Sequence, residues 1–139
     1  MQKSVVLTSA IAAALFVGCS SPNPGNGNAV ERGPHGTIAY EVQIQSNDPG
    51  VRIEANKDYM GMTPLVLKIF GDKDGTFHNF GNPHYVIQAI PVKAGQNLQT
   101  KIFRAGGDFL GDDKIPKRIF FDMMQPENTV VEGQQGPKK

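Results

Sequence analysis

The chain has 139 residues, room for one domain and not two, with 16 Gly and 10 Pro but no Trp. Its formal net charge is only +1 and no basic patch stands out, which argues against nucleic acid as a partner. A single Cys excludes an intrachain disulfide and leaves a lone thiol that needs a use. The first element is a short positive region at Lys3, followed by an uncharged apolar run from Val5 to Val17. This is the layout of a secretory signal. The run is too short to span a bilayer core, which needs about 20 residues as a helix.

The run ends in Phe16-Val17-Gly18-Cys19-Ser20-Ser21. This resembles the lipobox of bacterial lipoproteins, in which an aliphatic residue and then small residues precede the Cys. Gly18 and Cys19 match, while Phe16 stands where Leu is usual. The resemblance implies cleavage between Gly18 and Cys19 and attachment of acyl chains such as palmitate to Cys19. Each buried methylene contributes about 0.8 kcal/mol, and two or more chains anchor stably. The membrane is then a partner through lipid alone. Ser20, rather than Asp, resembles lipoproteins sorted to the outer membrane of a Gram-negative cell, so the expected location is the cell envelope. The competing reading is an ordinary signal cut after Ala14, with Leu15-Phe16-Val17 left as an apolar stub.

Residues 19–36 are expected to be the lipidated Cys and a flexible tether, because they are polar, rich in Pro, Gly and Asn, and without periodicity. The domain is expected over 37–123. Ile38, Tyr40, Val42 and Ile44 alternate with Ala39, Glu41, Gln43 and Gln45, the period of a half-buried strand. A turn at Ser46-Asn47-Asp48-Pro49-Gly50 follows, of the kind that places Pro second and Gly third. Val51 to Ala55 alternates again, and Asn56-Lys57-Asp58 forms a second turn in which Asn tolerates positive φ. Further strands are predicted over Leu65–Phe70, Tyr85–Val92, Leu98–Phe103 and Arg118–Met123. No segment has a helical period. Short strands joined by turns predict an all-β fold, a small β-sandwich. Residues 124–139 are polar and expected to be a disordered tail.

Pro49-Gly50, Val51/Ile53/Ala55, Asn56, Tyr59, Gly61 and Thr63-Pro64-Leu65 fall without a gap on a second pattern. It resembles the PEGA domain, a small β-module of bacterial envelope and surface proteins. That family runs Pro-Gly-Ala, an alternating strand, a turn with Asp-Gly, an aromatic, a Gly, then Thr-Pro-Leu. Here Val51 replaces the Ala, Asn56-Lys57 replaces Asp-Gly, and a long excursion, Gly71 to Pro83, replaces a short turn. The domain is therefore PEGA-like.

That excursion and its flank hold the candidate ligand-binding residues Phe77, His78, Asn79, Phe80, Asn82, His84 and Tyr85. Aromatic faces with paired amides suit a glycan or peptide platform. In the competing reading the phenylalanines turn inward and cap the sandwich, while the His and Asn side chains satisfy loop backbone; the composition favours this cap. His78 and His84 with Asp72 or Asp74 fit no metal-ligand spacing, so neither metal nor other cofactor is expected. Asp72-x-Asp74-Gly75 lacks the later ligands of a calcium loop. Asp108, Asp112 and Asp113 supply a carboxylate set for a hydrolase, but Arg104, Lys114, Lys117 and Arg118 flank them, and a solvated, charge-balanced loop is expected. No nucleophile elbow, phosphate loop or dinucleotide fingerprint is present. The expectation is a non-enzymatic envelope module that binds or organises another envelope protein, with glycan or peptidoglycan binding through Phe77–Tyr85 as the alternative and hydrolysis through Asp108–Asp113 as the remote one.

Overall fold

The computed structural model describes residues 30–106 and 111–132. Eight strands run in chain order: β1 (Ile38–Ser46), β2 (Arg52–Ala55), β3 (Asp58–Met62), β4 (Leu65–Gly71), β5 (His84–Ile90), β6 (Gln99–Arg104), β7 (Arg118–Phe121) and β8 (Asn128–Val131). They form a three-stranded sheet, β4-β1-β7, and a five-stranded sheet, β3-β2-β5-β6-β8. Most neighbours are antiparallel, but β7 lies parallel to β1 and β8 parallel to β6.

Alternation decides which face of each strand is buried. Val42 and Ile44 from β1, Leu67 and Ile69 from β4, and Ile119 and Phe121 from β7 line the inner face of the first sheet. Ile53, Ala55, Ile87, Ala89 and Phe103 line that of the second, and all eleven belong to one core. Fully burying a Val, Leu, Ile or Phe side chain contributes about 1.5–3 kcal/mol. The all-β sandwich read from the sequence is the fold observed.

Three connections cross between the sheets at one end, and polar groups stitch them together. Gly50, with φ of 76°, lets the β1–β2 connection turn. Gly50 N donates to Thr63 O over 2.7 Å, and Thr63 N donates to Val51 O over 2.9 Å. The buried Thr63 hydroxyl accepts from Val51 N at 3.1 Å, donates to the Ser46 hydroxyl at 2.6 Å and lies 3.2 Å from Asp48 O. Ser46 Oγ also donates to Asp48 O. The third crossing is bound in by Asn47, whose side chain donates to Asp122 Oδ1 at 2.7 Å and accepts from Met123 N at 3.0 Å. Lys93 and Gln96 reach the Asp48 carboxylate and hold it below the usual carboxylate range.

The structure corrects the sequence reading in three places. The segment after the second turn is a strand, β3. Asn56 and Lys57 both take positive φ, 51° and 76°, closing a two-residue hairpin. Within residues 19–36, expected as tether, the last residues belong to the domain. Arg32 bridges to Ile38, Ala39 N donates to Glu31 O over 2.9 Å, and a side chain at Gly33 would meet Phe70 at 2.3 Å. Residues 124–139 were expected as tail, yet β8 lies within them and adds an edge to β6, because the parallel ladder supplies order that composition does not. Replacing Thr63 with Val keeps its shape but strips Val51 N of its acceptor. This is expected to cost about 1–3 kcal/mol in urea denaturation, against almost nothing for Val66→Thr on the solvent face.

Candidate functional site

The excursion after β4 lies at the opposite end of the sandwich. It is pinned first by backbone: Gly71 bridges to Phe77 and Thr76 bridges to Lys114. Tyr40 Oη donates to Asp72 O at 2.6 Å, and the Asp74 carboxylate accepts from Thr76 N and Oγ1 at 3.1 and 2.7 Å. Thr76 first, then Lys114, keep Asp74 below the usual carboxylate range.

This frame sends the two phenylalanines in opposite directions. Phe77 is 1% exposed, and its ring stacks on Phe103 at 4.7 Å and lies 5.2 Å from Tyr85. Phe80 is 49% exposed. Phe77 therefore caps the core, as the cap reading has it, whereas Phe80 faces solvent, as the platform reading has it. Asn79 Oδ1 accepts from Gly81 N at 2.7 Å and Asn82 Oδ1 from His84 N at 3.0 Å, so both amides fold the loop on itself. His84 begins β5 opposite Arg104 and is exposed. Tyr85 is half-buried; burial pushes its phenol up to about 12, with the Asp58 charge adding to the effect. Ionising Tyr85 therefore opposes folding as pH climbs above the ordinary value of 10.0.

Around Phe80 stands a cluster the sequence did not show whole. His78 approaches the Phe80 ring edge-on at 4.6 Å and donates through Nδ1 to Asp72 Oδ1 at 2.8 Å. His35 stacks on His78 at 5.8 Å and lies 5.9 Å from Phe80. His35 sits in the short 3-10 turn Pro34–Gly36 with φ of 56°. Its only sequence signal was the Gly-Pro-His-Gly tract, read there as tether.

Asp113 behaves differently from an acid of a solvated loop. Asp113 is 8% exposed, and its carboxylate accepts from Arg104 N at 2.8 Å, Nε at 3.2 Å and Nη2 at 2.7 Å. That pairing raises the Arg104 guanidinium pKa. Asp113 also offers its carbonyl to Phe77 N at 3.1 Å, so it seats the core cap. It is a structural brace, and the expectation that it lies in solvent is corrected by the fork of Arg104 donors that compensates its burial. Asp108, Gly18 and Cys19 lie outside the described residues. Among the described residues no group of three or more His, Cys, Asp or Glu side chains gathers in a way that would hold a metal ion.

Comparison with protein-family models, with curated proteins and with solved structures returns no match to this chain. The two phenylalanines make the split of the loop measurable. Phe77→Ala is expected to cost about 3–5 kcal/mol in chemical denaturation. Phe80→Ala should stay within about 0.5 kcal/mol of the parent.

Proposed function

We propose that this protein is a lipid-anchored module of a bacterial cell envelope, non-enzymatic, whose PEGA-like β domain binds another envelope component. The observation that carries the reading is Cys19, the single thiol of the chain, placed directly after an apolar run and Gly18. The fold is in keeping with it. The chain enters the domain at Glu31–Gly36, beside the His35–His78–Phe80 cluster. The outer membrane is the proposed site in a Gram-negative cell, from Ser20. The envelope partner is a protein in the first reading. Expressed in bacteria fed labelled palmitate, the parent is expected to take up label and to sediment with membranes. Cys19→Ser should lose the label and remain as uncleaved precursor; equal membrane partition of a matured Cys19→Ser protein would refute the anchor.

A second reading, contact with a glycan, is favoured by the exposure of Phe80 beside two imidazoles. Retention on isolated peptidoglycan that falls about tenfold or more in Phe80→Ala, a variant that leaves the fold intact, would support it. Unchanged retention would remove it.

A further inference from the structure

The seam where β7 faces β6 and β8 has the features of a peptide-binding edge. β7 is the outer strand of its sheet. Gln43 N donates to Lys117 O over 3.0 Å and Asn47 N to Phe121 O over 3.2 Å, so the main chain of these alternate residues faces β1. The main-chain groups of Arg118 and Phe120 therefore point the other way, where no strand lies among the described residues. Two other edges, β3 and β4, are less open to pairing. β3 carries a register shift opposite Ile53/Glu54, and β4 carries Lys68, held by Glu31 at 2.6 Å.

Two adjoining cavities lie along this seam. One, of about 320 Å³, is lined by Phe103, Pro116 and Ile119 with Lys101, Lys114 and Arg118. The other, of about 160 Å³, is lined by Phe121 and Val130 with Gln99, Thr100, Gln125 and Asn128. Lys101 and Phe120 border both. Ile119 lines the first and Phe121 the second, a spacing of two residues on β7. That is the repeat at which an extended chain presents side chains to one face.

Charge selects the occupant. Of the cations around the larger cavity, Lys101 is matched by Glu132 at 2.9 Å and Lys114 by Asp74 at 3.3 Å. The Asp113 carboxylate on its wall is taken by Arg104. Arg118 has no carboxylate within salt-bridge distance among the described residues. The cavity wall is left with an unmatched guanidinium beside an unpaired strand edge.

We infer that this seam binds an extended acidic polypeptide segment by strand addition. Its main chain pairs with Arg118 and Phe120, an acidic side chain meets Arg118, and a smaller polar one enters the second cavity. The inference rests on the reading of the domain as a binding module and not on the lipid.

The test uses the full mature chain in detergent micelles and three synthetic probes: an alternating Thr-Glu octapeptide, its Thr-Lys counterpart, and the Thr-Glu peptide N-methylated at alternate amides. Fluorescence anisotropy measures affinity, and backbone amide shifts locate the site. The Thr-Glu peptide is expected to bind about tenfold or more tightly than the other two, with the largest shifts at Arg118, Phe120 and Lys101. Arg118→Glu should weaken it about tenfold or more, Arg118→Lys only slightly, and Lys68→Glu not at all. Equal binding of the Thr-Lys or N-methylated peptide would overturn the inference. So would shifts confined to β3 or β4, indifference to Arg118→Glu, or occupation of the edge by a second copy of the chain, seen as concentration-dependent dimerisation abolished by Arg118→Glu. Because micelle binding needs no membrane attachment, failure here and failure of the Cys19 anchor are separate results.

Discussion

The arrangement of the two sheets depends on one buried hydroxyl. Thr63 sits between β3 and β4, where the chain passes from the five-stranded sheet to the three-stranded one. Its Oγ1 engages Val51 N, Ser46 Oγ and Asp48 O, all on the β1–β2 connection that passes the opposite way. Apolar contact between the sheets is strong but has no direction, so it rewards any compact arrangement. A hydrogen bond aimed at one amide does have direction, and leaving that amide unmet in the interior is penalised. The Thr63 hydroxyl thus fixes which residues face each other across a core of otherwise interchangeable aliphatic side chains. The Pro49-Gly50 and Thr63-Pro64 pairs meet at this junction, which gives their spacing a physical reason.

The far end is closed by other means. There the aromatic ring of Phe77 fills the opening, held in place by a carbonyl of Asp113, itself fixed by the Arg104 fork. One loop serves two environments because its backbone is bound at Gly71–Phe77 and then turned at Asn79–Gly81. Two residues of chain separate a ring that belongs to the core from one that belongs to the surface.

What was legible in the sequence follows from what leaves a trace in composition. β1, β2, β4, β5, β6 and β7 each have one buried face, so their alternation was readable from Val42/Ile44 to Ile119/Phe121. β3 has almost none: Tyr59 and Met62 are both 54% exposed, and no period marks an edge strand with two wet faces. β8 and Glu31–Gly36 are ordered by ladder bonds to β6 and β1, a property of partners distant in sequence. Asp113 read as a loop acid because nothing local announces that Arg104, nine residues earlier, will fold over it. The loop 71–83 was legible as special but not in direction. Phe77 and Phe80 have the same chemistry, and only the bridge at Gly71 tells them apart.

The two parallel pairings bear on the order in which the molecule comes together. β7 joins β1, and Phe121 reaches its partner Ser46 across 75 positions of chain; β8 joins β6 near the carboxyl end. Such distant pairing is slow to form. A polypeptide emerging amino end first, from a ribosome or a secretion pore, has β1 and β4 in hand long before Ile119, Phe121 and Met123 exist to cover them. The interior stays unsealed until β7 and Met123 have emerged. Until then the apolar faces of β1 and β4 have no third strand beside them.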